Sequence, residues 1–544
     1  MKGNIFFKRI AAALLTTGIV ASLLAGCGGK TETKIDGALA GKYNITIAAQ
    51  QDDGELVILG ALKEAYEAQN PNVNIIIRDF SGKTYSEAMN TWREDYSLLP
   101  MISWMDDRDF AAYAEGGFYV DLRPYYEQDL EVTDYNAFYQ TMLNTASYTG
   151  EYRPTTGYTG TVEGKEKSDD RQYGLYFAPR DYNEIVIVYN KTKFADANYD
   201  ANGVNTGGYN IFQEYEEVYG VDLSDPVNNN DKTKWNWEAF VNLLHLAGEN
   251  IFEYNAGASA LNERVIYLHN SYEPVYTSIF TELGSQYPGY EGLIDSDGNP
   301  LFDSDANKAI YKYLSENIYQ YESAYDEDGQ TKTKKNINAV TEESFFNGMT
   351  LMTVCPRPTL YSQWNALQAK GMEIDVLPFP TQQIAAGCSG YGITTYGSFD
   401  ENNQPITQTP EGLPTVNVVD LCWDFIKFAI SEEGQEVASK TGVCVPVRKS
   451  LIENGVWKQA FTREDGTTIN HQAFILEEEL PMTMFNTFPP TSSNQPIRAS
   501  LRNTITNFLL ELENEKIITD ADREVIITNY INYFNTYRKQ AGLN

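Results

Sequence analysis

Residues 43–80 read YNITIAAQQDDGELVILGALKEAYEAQNPNVNIIIRDF and contain a strand, a helix and a second strand in that order. Residues 43–49 and 73–80 are short runs rich in β-branched and aromatic residues, which predicts strands. Between them, residues 55–69 carry apolar side chains at helical spacing and stop at an Asn-Pro pair, where a helix cannot continue. This unit predicts two neighbouring parallel strands of an α/β sheet.

The alternation of short strands and amphipathic helices continues along the chain. A helix is predicted over 85–99, a strand over 101–104, and a helix over 109–117 that ends on a glycine pair. The alternation predicts a parallel, doubly wound α/β sheet, in which ligands bind beyond the carboxyl ends of the strands. The other predictions are helices over 237–247, 304–320, within 422–450 and in most of the C-terminal region, strands within 173–194 and 373–382, and loop insertions over 150–172 and 196–234.

The first 26 residues have the pattern of a secretory signal peptide: positive charges, an apolar run and then small residues. The run is short for a transmembrane helix, so we favour a cleaved signal over a membrane span. Residues 24–27 read LAGC, which resembles the lipobox of bacterial lipoproteins and implies acylation, as by palmitate, at Cys27. Residues 28–42, rich in Gly, Lys and Thr, predict a flexible tether. We therefore expect a lipoprotein on the extracellular face of a cell membrane, as in Gram-positive bacteria.

Acidic residues outnumber basic ones, since 75 Asp and Glu against 41 Lys and Arg give a formal net charge of −34 over 544 residues. Such a chain repels nucleic acid and anionic lipid headgroups, so we expect no nucleic-acid partner and membrane contact through the lipid anchor alone. The length exceeds that of one ordinary domain and predicts two lobes or more.

Cysteine and histidine usage gives no sign of a metal or cofactor site. Four cysteines follow the lipobox without a Cys-x-x-Cys pair, namely Cys355, Cys388, Cys422 and Cys444. Disulfides are permitted outside the cell and three pairings are open, but buried free thiols are the favoured interpretation. The three histidines are far apart and lack metal-binding spacing, so we expect no metal site, and no cofactor motif is found.

Six stretches in order resemble the extracellular solute-binding proteins of ABC importers, family 1, the family of maltose-binding protein. They are ITIAAQQDDGELVILGALKEAYEAQNPNVNIII (45–77), ISWMDDRDFAAYAEGGFYVDLRPY (102–125), YGLYFAPRDYNEIVIVYNKTKF (173–194), WNWEAFVNLL (235–244), FFNGMTLMTV (345–354) and WDFIKFAISEEGQEVASKTGVCVPVRKS (423–450). The likeness spans nearly the whole chain after the signal peptide, and the six motifs together are specific although no single one is.

The resemblance implies a type II periplasmic-binding-protein fold, an α/β architecture of two doubly wound lobes joined by a hinge with the ligand cleft between them. Carried over to this chain, the N-terminal lobe covers 43–182 plus 380–448 and the C-terminal lobe covers 183–379 plus 449–544. It also implies a monomer that closes on its ligand, is recognised by ABC permease subunits and catalyses no reaction.

The resemblance implies that Trp104, Asp107 and Arg108 contact a sugar. An indole packs on the flat C–H faces of a pyranose, and a carboxylate and a guanidinium make charge-assisted hydrogen bonds to its hydroxyls. The alternative is that Trp104 belongs to the core and that the charges, Asp106 above all, cap the next helix.

Further candidate contacts come from the predicted rim, the first hinge crossing and the segments beyond. Asp52, Asp53 and Lys83 follow the first two strands, where they could instead be solvated caps or turns. Arg180, Asp181, Tyr182 and Asn183 lie at the first hinge crossing, with an interdomain salt bridge as the alternative. Arg357 and Trp364 lie where the family often has Gly-Pro-Trp, and Tyr391 is a further candidate wall.

We therefore expect a lipid-anchored protein that binds an oligosaccharide and delivers it to an ABC permease. Because arginine binds carboxylates bidentately, Arg357 also admits an acidic sugar. Another solute, or a sensing or adhesion lipoprotein with the same fold, stays open. A secreted glycosidase is the remote alternative, since two catalytic carboxylates could be present among so many acidic residues.

Overall fold

The computed structural model describes most of the chain after residue 36. The described residues are 37–49, 53–79, 87–88, 100–106, 110, 114, 117–129, 142–143, 146–147, 174–195, 210–254, 264–269, 272–295, 298–319, 321–322, 334–335, 338, 341–400, 402–463, 465–475, 479–480, 497–513 and 519–540. The signal peptide and most of the tether, most of the predicted helix at 85–99, and the predicted insertion at 150–172 lie outside them.

The described strands form two main sheets and three short two-stranded ribbons. The strands are β1 Tyr43–Ala49, β2 Val73–Asp79, β3 Ile102–Asp106, β4 Ala178–Asn183, β5 Ile185–Asn190, β6 Arg264–Tyr267, β7 Tyr321–Glu322, β8 Lys334–Lys335, β9 Thr350–Pro356, β10 Ile374–Pro378, β11 Ile384–Ala385, β12 Gly387–Ile393, β13 Thr407–Gln408, β14 Val416–Asn417, β15 Val445–Pro446 and β16 Glu479–Leu480.

The described helices pack around these sheets. They are α1 Asp53–Gln69, α2 Arg123–Gln128, α3 Lys191–Ala195, α4 Ile211–Tyr219, α5 Pro226–Asn229, α6 Trp237–Tyr254, α7 Glu273–Gly284, α8 Asp305–Leu314, which continues as a π-helical turn Ser315–Tyr319, α9 Glu343–Phe346, α10 Arg357–Ala369, α11 Thr395–Ser398, α12 Val418–Ile430, α13 Glu432–Lys440, α14 Lys449–Asn454, the 3-10 turns Val456–Gln459 and His471–Phe474, α15 Ile497–Glu513 and α16 Asp520–Gln540.

The six-stranded sheet has the order β15-β4-β12-β3-β1-β2. Strand β1 runs parallel to both β2 and β3, with Tyr43 opposite Val73 and Ile47 opposite Ile102. Strand β12 runs antiparallel to β3 and β4, and β15 runs antiparallel to β4. The prediction of a parallel sheet is therefore right for β1–β3 and wrong for the other half. Strand β12 enters from the second sheet, so no helical crossover sets its direction.

The four-stranded sheet has the order β10-β5-β9-β6. Strand β5 is antiparallel to both of its neighbours, and only β6 and β9 are parallel. Every residue of β5 is buried. This burial explains why β5 reads as the apolar run IVIVY rather than as an alternating strand.

The chain passes between the two sheets at short crossings. One residue, Glu184, separates β4 from β5, and the segment between Pro378 and Gly387 returns the chain to the first sheet. The lobe boundaries expected at 182–183 and 379–380 lie at these crossings, and the assignment of whole lobes stays a prediction. Both sheets belong to one compact unit.

Helix α1 shows how the sequence pattern becomes packing. Leu59, Leu62 and Tyr66 of the predicted apolar stripe are at most 2% exposed and face the interior. Tyr66 packs edge-on against Phe425 of α12, with ring centroids 5.3 Å apart. The helix is thereby fixed to a segment more than 350 residues later in the sequence, as its amphipathic spacing requires.

The prediction of a loop insertion over 196–234 is wrong for residues 211–219, which form α4. Asn210 caps this helix by accepting hydrogen bonds from the backbone N–H groups of Phe212 (3.0 Å) and Gln213 (3.2 Å). Gly220 ends it in the left-handed conformation at φ 74°. The Asn- and Tyr-rich composition concealed an apolar face with helical spacing, formed by Ile211, Phe212 and Tyr215.

Candidate functional site

The six-stranded sheet presents several strand ends at one edge. Strands β1, β2 and β3 are parallel, so their carboxyl ends lie together. The amino end of β12 and the carboxyl end of β4 lie at the same edge, because Ser389 is opposite Asp106 and Gly387 is opposite Asn183. We call this edge the first rim. The chain leaves the sheet here to enter β5, so the first rim faces the crossing.

The four-stranded sheet presents its own edge to the same crossing. Strand β5 begins at Ile185, opposite Pro356 at the end of β9, and β10 ends at Pro378, opposite Val186. Strand β6 is parallel to β9, so its carboxyl end and the residues after it, up to His269, lie at this edge as well. We call it the second rim. The space between the two rims is the candidate site.

The first rim holds the backbone of several predicted contact residues. Asp53 is the first residue of α1, Asp106 the last residue of β3 and Asn183 the last residue of β4. Their side chains, together with Cys27, Asp52, Lys83, Asp107 and Arg108, lie outside what the structure describes. Their contacts with a ligand stay predictions.

Trp104 lies in β3 directly opposite Tyr391 of β12. It is 6% exposed, so almost none of its surface is open to solvent in this conformation. Its strand ends at the first rim two residues later, at Asp106. Trp104 therefore has the position in the sheet expected of a rim residue and the burial of a core residue. Its contact with a sugar stays a prediction.

Arg180 forms a buried ion-pair network in the lobe of the first sheet. Its Nη1 and Nη2 donate to Glu55 Oε1 and Oε2 at 2.9 and 2.8 Å, and its Nε donates to Asp181 Oδ2 at 2.6 Å. The Tyr391 hydroxyl accepts from Arg180 Nη1 at 2.5 Å and donates to Glu55 Oε1 at 3.0 Å. Ser389 Oγ donates to Asp181 Oδ1 at 2.7 Å. The network ties α1 to β4 and β12.

Three predicted contact residues, Arg180, Asp181 and Tyr391, hold elements of the fold together through this network. Arg180, Asp181 and Tyr391 are at most 3% exposed. Burial alone would lower the pKa of Arg180, but the charges of Asp181 and Glu55 raise it well above its usual value. The ion pair between Arg180 and Glu55 joins β4 to α1 within the lobe of the first sheet. It is therefore not an interdomain salt bridge, which was the alternative. Tyr182 is also buried, and its hydroxyl donates to the Phe474 carbonyl oxygen at 3.1 Å.

Arg357 is buried between aromatic rings, and the structure corrects its predicted role as a binder of an acidic ligand. Its Nε donates to the Gly442 carbonyl oxygen at 3.0 Å, and its Nη2 donates to the Trp457 carbonyl oxygen at 2.8 Å. Its Nη1 lies 3.2 Å from His471 Nδ1. The guanidinium also lies 4.7 Å from the Trp457 ring centroid and 4.6 Å from that of Phe461. Arg357 is 0% exposed and offers nothing to a ligand.

The reason for this burial is the chemistry of the guanidinium group. It is more weakly hydrated than an ammonium and is stabilised over aromatic faces, so it tolerates an interior lined by rings and carbonyls. Burial lowers the pKa of Arg357 to about 9. Trp364, also predicted as a contact, is half-buried on α10 and packs edge-on against Phe461, with centroids 5.2 Å apart.

Sequence reasoning missed an aromatic stack at the second rim. The His269 ring stacks on Tyr272, with centroids 5.1 Å apart and planes 26° apart, and lies equally close to Tyr267. His269 has φ 56°, a left-handed conformation that is costly for a side-chain-bearing residue and occurs often at functional sites. Its Nδ1 is buried without a hydrogen-bond partner among the described residues. In the sequence, this stack is indicated only by a histidine that follows the short strand RVIY in the pair Leu-His.

The stack offers chemistry suited to a flat, hydroxylated molecule. Burial lowers the pKa of His269 to about 4, so the imidazole is neutral near pH 7 and can donate or accept a hydrogen bond. Glu273, which begins α7 next to Tyr272, is 4% exposed. No trio of His, Cys, Asp or Glu among the described residues is arranged to hold a metal ion. The described cysteines are buried free thiols, which confirms that prediction.

The sequence matches a protein-family model, described as bacterial extracellular solute-binding protein, over residues 61–464. The chain belongs to this family. The resemblance inferred from the six motifs is thereby confirmed. A search among curated proteins found no match for this solute-binding protein. Among the described residues, no helix has the length and apolar character needed to cross a membrane.

Solved structures share the fold of this solute-binding protein. An ABC substrate-binding protein from Listeria monocytogenes in complex with cycloalternan matches with TM-score 0.56 and 12% identity, over 92% of this chain and 100% of the other. The GacH receptor of Streptomyces glaucescens, solved unliganded and with acarbose, matches with TM-score 0.54 and 14% identity, over 92% and 99%. The sugar-binding protein MalE from Xanthomonas citri matches with TM-score 0.55 and 11% identity, over 91% and 98%.

At these identities the matches are evidence for the fold and not for the ligand. They confirm the predicted two-lobed periplasmic-binding-protein architecture. The family and the named neighbours are binding proteins of transporters rather than enzymes.

Proposed function

We propose that this protein is the lipid-anchored substrate-capture subunit of an ABC importer and that it binds a neutral oligosaccharide between the two rims. The observation that carries the proposal is the His269–Tyr272 stack at the second rim. Aromatic faces pack on the C–H faces of pyranoses, and a neutral imidazole bonds to their hydroxyls. Several similar structures are described with oligosaccharide ligands, which supports the same ligand class here.

The remaining parts of the proposal rest on the sequence and the fold. The LAGC motif supports acylation at Cys27 and attachment to the outer face of the membrane, with residues 28–42 as the tether. A ligand that bonds to both rims stabilises a closed form, and a permease that recognises this form receives only loaded protein. The protein acts as a monomer, without cofactor or catalysis.

A neutral sugar is favoured over an acidic one by the position of Arg357. That residue was the main reason to expect an anionic ligand, and its guanidinium is fully buried and hydrogen-bonded to main-chain carbonyls. Retention of an acidic oligosaccharide in preference to a neutral one would reverse this assignment.

The test is calorimetric titration of the chain lacking residues 1–26 against neutral α- and β-linked oligosaccharides, with uronic-acid oligosaccharides beside them. We expect one or more neutral glycans to bind and Tyr272→Ala to weaken that binding at least tenfold, since the mutation removes one face of the stack. Tyr219→Ala is the matched control, because Tyr219 is 44% exposed on α4 of the same lobe and lies outside both rims. Cleavage products in the titrated mixture would point to a glycosidase instead, and equal affinities for both variants would refute the stack as the binding surface.

A further inference from the structure

A second concave site lies between α6, α7 and α8 in the lobe of the four-stranded sheet. Its volume is about 650 Å³, which is within the range of small-molecule sites. The side chains that matter for its chemistry are Trp237 and Asn242 of α6, Glu282 of α7, Gln286 and Tyr287 just after α7, and Tyr313 of α8.

The groove is separate from the second rim. Helix α7 begins at Glu273, beside the His269–Tyr272 stack, and ends at Gly284. At 1.5 Å per residue these two ends are about 16 Å apart. The groove is at the Gly284 end, so a molecule bound there does not touch the stack.

The lining combines aromatic rings with neutral amides. Tyr287 is 36% exposed, and it shares the groove with Trp237 and Tyr313. The amides of Asn242 and Gln286 each provide a donor and an acceptor. None of the described lining residues is Lys or Arg, so nothing there neutralises an anion. Rings for C–H faces, with amides and the two carboxylates of Glu238 and Glu282 for hydroxyl groups, fit an uncharged sugar.

The groove also includes part of the second crossing between the sheets. Gln382, which lines the groove, lies between β10 and β11 and donates its backbone N–H to Glu282 Oε2 at 2.8 Å. Lys232 Nζ donates to the Gln382 carbonyl oxygen at 2.5 Å. The wall formed by the crossing segment is therefore fastened on both sides, and the groove keeps its shape without a ligand.

We propose that this groove is a second carbohydrate-binding site that accepts one or two pyranose units of a neutral sugar, in addition to the site between the rims. It gives the protein a place to hold a glycan end or a small saccharide outside the transport cleft. The inference concerns a different surface from the proposed function and stands or falls separately.

The experiment is ligand-observed saturation-transfer NMR with glucose, maltose and cellobiose on the chain lacking residues 1–26, with glucuronic acid and butylamine as charged probes. The Tyr272→Ala variant is used as the background, because it weakens the site between the rims and leaves the groove intact. We expect a neutral sugar to give a saturable signal that Tyr287→Ala combined with Asn242→Ala weakens at least tenfold. Tyr219→Ala is again the control and should change nothing.

Gln286→Ala, at an exposed position, is the second variant if the double substitution lowers solubility. The proposal is overturned if no neutral sugar binds in the Tyr272→Ala background, if the groove variants bind as tightly as the control, or if butylamine or glucuronic acid binds in preference. Loss of all binding in Tyr272→Ala together with full binding in the unsubstituted chain would leave the transport site standing and refute only the groove.

Discussion

Single residues in this protein owe their roles to partners that are distant in sequence. Arg357 reads as an exposed cation between two prolines, yet its partners Gly442, Trp457 and His471 come 85 to 114 residues later. No local pattern around Arg357 encodes that environment. His269 is the opposite case, because a lone histidine of no evident motif is held in a strained conformation within an aromatic stack at the second rim.

The buried pair of Arg357 and His471 predicts acid sensitivity. Burial first, and then the charge of Arg357, lower the pKa of His471 to about 3. The unfolded chain takes up this proton below about pH 6.5 and the folded protein does not, so the free energy of unfolding falls as the pH falls from about 6.5 toward 3. At pH 5 the loss is about 2 kcal/mol.

His471→Asn removes the titrating group while its amide oxygen can still accept from Arg357. We expect urea unfolding at pH 7 and pH 5 to show a smaller loss of stability in the variant than in the unsubstituted protein. The same substitution at His269, whose pKa is lowered to about 4 by burial, is the comparison and should remove a nearly equal share, because pH 5 lies above both folded-state pKa values. An unchanged pH dependence in His471→Asn would refute the assignment.

At the scale of elements, α1 and β12 show how secondary structure is fixed to the sheet. Apolar spacing was enough to predict α1, and its described bounds begin two residues earlier than predicted. What holds it against β4 and β12 is the ion pair between Glu55 and Arg180, with side chains 4% and 1% exposed. Strand β12 reads GCSGYGI, and its glycines allow the close approach of β4 at the irregularity between Ser389 and Gly390.

Removal of Glu55 should destabilise the protein strongly. Glu55→Ala leaves a buried guanidinium without one of its two carboxylates, and we expect a loss of about 3 kcal/mol or more of unfolding free energy. Glu64→Ala, at an exposed position of the same helix, should change stability by no more than about 0.5 kcal/mol. Chemical denaturation of both variants measures these free energies. Similar losses of unfolding free energy in the two variants would mean that the buried ion pair does not hold α1 in place.

Two glycine substitutions separate close packing from helix propensity. A Cβ at Gly390 would collide with the carbonyl oxygen of Ala178, so Gly390→Ala should cost about 2–4 kcal/mol. A Cβ at Gly60, inside α1, would have no atom within 4 Å apart from the backbone of its own helix, so Gly60→Ala should stabilise by about 0.5–1 kcal/mol. Midpoints of thermal unfolding should therefore move in opposite directions, and a tolerated Gly390→Ala would contradict the packing described for β4 and β12.

At the scale of the whole molecule, two sheets meet at short crossings and leave a site between their rims. A ligand that bonds to both rims favours the closed form, because only that form satisfies both sets of contacts. At a ligand concentration about 100 times the Kd, binding adds about 2.7 kcal/mol to the free energy of unfolding.

We therefore expect a glycan that binds in calorimetry to raise the unfolding temperature and to reduce the radius of gyration measured by small-angle X-ray scattering. Tyr272→Ala should show both changes only at proportionally higher glycan concentrations. A glycan that binds tightly without any compaction would argue against closure and in favour of a sensing role with fixed lobes.

The sequence by itself determined the α/β class, the order of strand and helix at 43–79, the strands around the first crossing and the family, because hydrophobic periodicity and local motifs are properties of neighbouring residues. Tertiary structure alone decided that β12 and β4 run antiparallel to their neighbours, that Arg357 lies in the core, and that His269 and Tyr272 stack at the second rim. The strand directions and the burial of Arg357 depend on contacts between segments far apart in the chain, and no short stretch of sequence contains both partners. His269 and Tyr272 are three residues apart, but their position at the second rim follows from the pairing of β6 with the distant strand β9.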